Sequence, residues 1–322
     1  MARIDFIPQS GTFYKANLHS HGTASDGNLT PEAAKQLYMQ HGYSIYAYTD
    51  HNALIDHSAL DEPGRFLTLL GYELDVTRKD PVHGHYQTCH INAIARDPQK
   101  ATYIPKPEEF SIEAINRTIA QLRAAGYLVH YNHPTWSGAT TADSIALKGF
   151  HAVEIFNYGC EIEANCGDGR EHYDQMIRNG QRLYCIACDD NHNKSLKPGA
   201  QDRVIDSCGA WTMIKAPSLT YANAIHALEN GHFYCSYGPE VYAYYLQDDK
   251  LCVDCSPVRA VYVRTSRLGA SRSIAYAHKC MTHAEIDFAE FKGDETYVRL
   301  ELVDEQGRMA FCNPFYFDTM RA

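Results

Sequence analysis

The sequence predicts an α/β fold that ends in a small β-rich region. Three observations predict it. Short runs that are apolar nearly throughout recur as far as Lys215, as expected for strands buried on both faces. Capped helical segments lie between several of them, which implies parallel strands joined by crossovers. After about Pro239 the long helical patterns stop and strand-like runs continue.

In chain order the expected strands are Ala16–His21, Ser44–His51, Phe66–Leu74, His90–Ala95, Tyr127–His133, Ala152–Asn157, Leu183–Asp189 and Ala210–Lys215. The first helix opens at Thr30, a side chain that can accept from the first free N–H groups. Pro31 follows at a position that needs no donor, and Glu32 complements the positive helix end. It runs to about His41 and stops at Gly42. Ser111 caps a second helix, with Ile112, Ile115, Ile119 and Leu122 on one face and Gly126 closing it. A third covers Arg170–Asn179 and a fourth Tyr221–Glu229. Pro81–Phe110 shows no helix and reads as a long loop containing one strand.

Beyond Pro239, Arg259–Thr265 and Tyr297–Val303 read as strands. Asp304-Glu305-Gln306-Gly307 reads as a hairpin turn into Met309–Cys312, and Thr282–Ile286 as a short helical turn. Residues 1–239 are therefore expected to form one α/β unit and 240–322 a β-rich one.

Composition narrows the function. With 29 Lys and Arg against 39 Asp and Glu, the net charge is −10. That leaves no broad positive field for a nucleic-acid backbone. The start of the chain, Met1–Phe6, carries no export signal, and no run of about 18 apolar residues could span a membrane. The 11 Cys then read as reduced thiols of a cytoplasmic protein. Cys185 and Cys188 stand three apart on a strand and point to opposite faces. Cys252 and Cys255 have no second pair to complete a zinc site.

The 17 His are the unusual feature. His19 and His21 end the first strand on one side of it, and Asp26 follows closely. Asp50 and His51 end the second strand, Glu73 stands near the end of the third, and His90 opens the next. His133 ends Leu128–His133, and Asp190 and His192 follow Leu183–Asp189. A closed (β/α) barrel and an open doubly wound sheet both fit the strand–helix alternation. Only the barrel brings all these strand ends together on one face, so the chemistry decides for it. Imidazole plus carboxylate without thiolate suits Zn, Mn or Fe. His19, His21, Asp26, His51, Glu73, His90, His133, Asp190 and His192 exceed the needs of one ion. Two or three divalent ions with a bridging carboxylate are expected, holding a hydroxide between them. His90 competes with His83 and His85, and is preferred because a β-like run starts there. His133 competes with His130 and is preferred at the strand end before Pro134. His130 would then support a ligand or face the substrate.

These residues resemble the PHP family, the polymerase and histidinol phosphatase domain. Asn17-Leu18-His19-Ser20-His21-Gly22-Thr23-Ala24-Ser25-Asp26-Gly27 is similar to its opening motif. Tyr48-Thr49-Asp50-His51-Asn52, Gly71-Tyr72-Glu73-Leu74, His133-Pro134, Val153-Glu154-Ile155 and Ala187-Cys188-Asp189-Asp190-Asn191-His192 resemble later ones. In the last, Cys188-Asp189 replaces the family's Gly-Ser. The resemblance covers roughly residues 13–240. More weakly, Gly238-Pro239, Tyr297-Val298-Arg299 and Asn313-Pro314 resemble a C-terminal β-sandwich-like extension.

The resemblance implies a distorted (β/α)7, TIM-like barrel with a binuclear or trinuclear centre that hydrolyses phosphate esters. It implies that His19, His21, Glu73 and Asp190 hold one ion. Glu73 would bridge to a second, held with His90 and His133, while Asp26, His51 and His192 hold a third. Asp50 would orient a ligand. Lys197 and Arg203, just after the last motif, are candidate phosphate contacts for a small phosphorylated substrate. An amidohydrolase or sugar isomerase could also place His and carboxylates at strand ends. Amidohydrolases commonly use a carbamylated Lys, however, where Glu73 stands here. A non-catalytic metal-stabilised domain is the remaining alternative, although no ligand position is lost.

Overall fold

The computed structural model describes residues 3–82, 84–194, 205–267, 272–275, 280–287 and 294–317, with the side chains of 272–275 excepted. After a short β1 (Ile4–Asp5) come β2 (Thr12–Asn17), helix α1 (Pro31–Gln40), β3 (Tyr43–Tyr48), β4 (Leu67–Lys79) and β5 (Tyr86–Ala95). Helix α2 (Ile112–Ala124), β6 (Tyr127–Tyr131), α3 (Thr141–Ala146), β7 (Ala152–Asn157), α4 (Tyr158–Ala164), α5 (Arg170–Arg178) and β8 (Tyr184–Cys188) follow. Then come β9 (Trp211–Ala216), α6 (Tyr221–Glu229) and β10 (Phe233–Ser236). The expected caps are made: Thr30 accepts from Ala33 N at 3.3 Å and Ser111 from Ala114 N at 3.1 Å.

Strands β2, β3 and β4 pair in parallel, as do β6, β7 and β8. Between the two sets lies a departure from the expected pattern. β4 does not stop at Leu74, and the strand expected within Pro81–Phe110 starts earlier, at Tyr86, while the other described residues of that segment are loop. β4 and β5 form one long antiparallel hairpin, in register from Gly71↔Ile94 to Lys79↔Tyr86. Antiparallel neighbours need only a tight turn, so no helix separates them. The turn is held by Asp80, whose Oδ1 accepts from Val82 N at 2.9 Å.

Ile115, Ile119 and Leu122 of α2 are fully buried in one core with Ile91, Val129 and Tyr131. Each such side chain contributes about 1.5–3 kcal/mol by leaving water. The ladder does not close from β8 onto β9. Thr212 bridges there with its side chain, accepting from Ala187 N at 3.3 Å and donating to Ala187 O at 3.1 Å. Past the strand ends, Asp190 N donates to His19 O and His21 N to Asn191 O, both at 3.0 Å. One parallel bridge, Ser20↔Asn191, thus joins the first strand's exit to the last. The observed class is mixed α/β with a large parallel and antiparallel sheet.

The C-terminal strands are β11 (Val241–Gln247), β12 (Lys250–Val258), β13 (Ala260–Thr265), β14 (Arg272–Ala275), β15 (Met281–Asp287), β16 (Tyr297–Val303), β17 (Met309–Cys312) and β18 (Phe315–Tyr316). β1, β11, β12 and β15 make a four-stranded antiparallel sheet. Val253 and Val258 from it share a core with Val263, Leu300 and Ala310 from the end of the large sheet. Because β17 pairs with β10, the large sheet runs across residue 239. Thr282–Ile286 is not a helical turn. It lies within β15, where Met281, Ala284 and Ile286 are buried while Thr282, His283, Glu285 and Asp287 are exposed, close to a strand's two-residue period. Cys252 and Cys255 both lie in β12, and Cys185 and Cys188 in β8. Among the described residues no helix is long and apolar enough to cross a membrane.

Candidate metal centre

Alternation along the strands sorts the side chains. Just past β2, Ser20 turns back into the sheet, donating to Ala47 O at 2.6 Å. His19 and His21, one residue either side, therefore face the opposite way, and both are buried. Glu73 is in the middle of β4 because β4 is long, and His51 forms an isolated bridge with it. His90 lies on β5 opposite Asp75. His133 and Asp190 leave their strands with φ of +23° and +51°, which turns both side chains out of the pleat. Asp26 arrives from a loop closed by Gly27 N donating to Gly22 O at 3.0 Å. A Cβ at Gly27 would stand 2.2 Å from His21 O, so this turn requires glycine.

All nine candidate ligands converge. Four overlapping sets have ligand atoms within 4.8 Å of one another: His21, Asp26, His51 and His192; His19, Glu73 and His133; His19, His21 and Asp190; and His51, Glu73 and His90. Glu73 Oε1 is 3.1 Å from His19 Nε2 and from His90 Nδ1, and its Oε2 is 3.0 Å from His51 Nδ1. Asp190 Oδ1 is 3.0 Å from His21 Nε2 and 3.1 Å from His19 Nε2. His133 Nε2 is 3.6 Å from both Glu73 Oε1 and Asp190 Oδ2. Half-exposed Asp26 reaches His192 Nε2 at 3.3 Å. Here His133 groups with His19 and Glu73, His51 with Glu73 and His90, and His21 joins two sets. This overlaps more than the division the resemblance implies.

The donor set fits divalent ions. His19 Nδ1 lies 2.7 Å from Glu154 Oε1, and that carboxylate takes the ring proton. The His19 Nε2 lone pair then points inward, only 3.2 Å from His21 Nε2. His192 Nδ1 likewise meets Asp190 O at 2.9 Å, leaving Nε2 to face Asp26. Glu73 Oε2, Asp190 Oδ1 and His51 Nδ1 are buried without a well-formed hydrogen bond. Buried acceptors converging with so few donors are costly unless a cation sits among them. Burial disfavours charge on His19, but Asp190, Glu154 and Glu73 outweigh it and hold its imidazolium well above the usual range. Burial likewise opposes charge on His21, and Asp190 and Glu73 raise it to about 9. Burial would raise Glu73, yet His90, His19 and His133 hold its carboxyl well below the usual range.

Several supporting residues were not assigned from sequence. Glu154 Oε2 accepts from His133 N at 2.8 Å and Asn157 Nδ2 at 2.9 Å, so one carboxylate positions two ligands. Its signal was available: a lone acid in an otherwise apolar strand. Asn132 donates to Glu73 Oε1 at 2.7 Å, and Asn157 to Asp190 Oδ2 at 3.2 Å. Asp206 accepts from His192 N at 2.7 Å. Trp136, 40% exposed, stands against the rings of His90 and His133 at 5.7 and 4.9 Å. Asp50, which the sequence did assign to orienting a ligand, accepts from Gly22 N at 2.9 Å and Ser25 Oγ at 2.7 Å and so steadies the loop that carries Asp26.

The sequence alternatives separate here. His130 is fully buried, stacks on His151, and belongs to none of the four sets. His85 is exposed on the β4–β5 hairpin. His83, Lys197 and Arg203 lie outside the described residues.

No family model and no curated protein matches the chain. Solved structures do resemble it. A two-domain protein from Bacteroides vulgatus, containing a predicted PHP-like metal-dependent phosphoesterase, is 14% identical with a TM-score of 0.46, over 95% of this chain and 97% of that one. A protein from Bifidobacterium adolescentis, described as a candidate metal-dependent phosphoesterase, is 15% identical with a TM-score of 0.37, over 62% and 94%. An amidohydrolase from Chromobacterium violaceum, with bound sulfate and no metal, is 17% identical with a TM-score of 0.36, over 55% and 87%. These likenesses are distant, and the reading of the site stands on its own side chains.

Proposed function

We propose that the chain is a PHP-like metal-dependent phosphoesterase that binds two or three divalent ions and hydrolyses phosphate esters. The observation that supports it most is the nine converging ligand atoms, with Glu73 and Asp190 buried at their centre and lacking enough donors of their own. In this reading the large sheet is a distorted barrel whose strand exits carry the site. Residues 1–239 form the catalytic unit, and 240–322 a sandwich-like appendage.

His19, His21, Glu73 and Asp190 would form the shared floor. His90 and His133 would complete one side, and Asp26, His51 and His192 the more open side. When bound, Mn, Fe or Zn would supply Lewis-acid charge for the phosphoryl group and activation of water. The chain's own residues then hold protons and orientation. Glu154 keeps the His19 proton on Nδ1, and the Asp190 carbonyl does the same for His192. Lys197 and Arg203 are proposed phosphate contacts. The acidic balance of the chain favours a small phosphorylated substrate over nucleic acid, and a cytoplasmic setting suits its unpaired thiols.

Metal analysis of the purified protein, combined with a mono- and diester screen in added Mn, tests the proposal. Two or more ions per chain and ester hydrolysis are expected. His21→Ala should abolish hydrolysis while the circular dichroism spectrum stays that of the parent. One ion or none, with no turnover of either ester class, would overturn the reading.

A further inference from the structure

Strands β4 and β5 run on past Glu73 and His90, and their outer part sorts by period two. Val76, Gln87 and Cys89 are buried, whereas Thr77, Lys79 and Tyr86 are exposed. Asp75, Thr77 and Lys79 pair in register with His90, Thr88 and Tyr86. The exposed face of the hairpin is therefore the face that carries His90. Beside it stands Trp136, on a turn that follows His133 and is fixed at several points. Ser137 N donates to His133 O at 3.1 Å, Thr88 N to Ser137 O at 3.0 Å, and Thr135 Oγ1 to Asp168 O at 2.7 Å. The indole lies steeply across the His90 and His133 rings, at 67° and 82°, and 40% of it meets solvent. An indole gains most when it is covered, so one held in the open beside two candidate ligands has surface to offer a bound molecule.

We infer, resting on the metal-centre reading given above, that Trp136 is a specificity-determining residue that packs against the leaving group, and that the favoured substrates are phosphate esters of an alcohol carrying a planar ring. With the phosphoryl group held among the ions, an ester group on the His90 and His133 side meets the indole. A planar ring gains there both by leaving water and by ring–ring attraction, whereas a short alkyl group gains only the first. A second exposed aromatic side chain, Tyr86, lies further along the same hairpin face, with Lys79 Nζ 5.4 Å from its ring centre.

Benzylphosphonate and ethylphosphonate share a head group, have no ester bond to cleave and differ by the ring. Titrated calorimetrically into the full chain equilibrated with Zn, benzylphosphonate should bind about tenfold more tightly. Trp136→Leu should remove most of that preference and Trp136→Phe should keep it, with thermal unfolding to check that both variants are folded. The chain has two tryptophans, so in Trp211→Phe the remaining indole emission reports Trp136, and benzylphosphonate should shift it. In turnover with Mn, benzyl phosphate should show a lower KM than ethyl phosphate, an advantage that Trp136→Leu loses. Ring-selective binding that depends on Trp136, without turnover of either ester, would uphold this assignment and count against the hydrolytic reading. Turnover of both esters with equal affinity for the two phosphonates, or a preference unaltered in Trp136→Leu, would overturn the assignment and leave Trp136 as a shield over His90 and His133.

Discussion

Asp189 and Asp190 are adjacent, both are buried, and they have opposite circumstances. Asp189 faces away from the centre and has four donors. Gly209 N and Ala210 N reach Oδ1 at 3.0 and 2.8 Å, and Cys208 N and the Tyr38 hydroxyl reach Oδ2, each at 2.7 Å. Asp190 faces inward with Oδ1 lacking any well-formed hydrogen bond and pressed against two imidazoles. Burial pushes the Asp189 carboxyl up to about 6, whereas the histidines hold Asp190 well below the usual range. The difference shows what distinguishes a structural acid from a ligand. Each is buried, but Asp189 is satisfied by three backbone N–H groups and Tyr38, whereas Asp190 has the surroundings expected of the metal ligand proposed above.

The largest effect expected is therefore on activity, from Asp190→Asn. Asparagine tolerates the φ of +51°, so the backbone is unstrained. Ester hydrolysis should fall by about 10²–10³-fold or more, with fewer ions bound. Asp189→Asn should do the reverse. Its amide nitrogen would face two donors, at a cost of about 2–4 kcal/mol, while the folded fraction still binds metal. If both variants lose stability equally and keep their metal, the comparison fails.

Glu154→Gln sharpens it at a smaller scale. Glu154 is buried like Asp189 and is satisfied by His19, His133 N and Asn157, but what it holds in place is ligands. The amide can present its nitrogen to His19 and release the ring proton from Nδ1. Metal affinity should fall about 10- to 100-fold, measured by competition with a chelator, with little change in unfolding. An unaltered affinity would make Glu154 a structural acid like Asp189.

Much of the site was legible because period two is strict. His19 and His21 had to share a side, whereas Asp190 and His192 repeat their spacing beyond the end of β8, where φ of +51° at Asp190 breaks the alternation. Which of Asp189 and Asp190 faces inward was less legible from local sequence, since the donors to Asp189 come from Tyr38 and residues 208–210. The β4–β5 hairpin escaped because Asp75-Val76-Thr77-Arg78-Lys79 is largely polar, and its pairing with Tyr86–Ile91 rather than its own hydrophobicity makes it a strand. Helices α3 and α4, of six and seven residues, are too short to show a 3.6-residue period. Asn132 and Asn157 carry no distinctive spacing at all.

The smallest effect is a pH dependence that isolates Asp189. Its folded pKa of about 6 lies above the unfolded value of about 3.9, so the folded chain takes up this proton more readily. Its contribution to stability is thus fully present below about pH 4 and is lost as pH rises through about 6. Glu73 and Asp190 have depressed values and act oppositely, losing their contribution as pH falls. They are common to the parent and Asp189→Asn, so they cancel when one is subtracted from the other. In EDTA, the stability advantage of the parent should shrink by on the order of 1 kcal/mol between pH 4 and 7. A difference that stays flat or grows would mean that the four donors keep Asp189 ionised throughout. The two neighbouring acids would then differ in partners but not in charge.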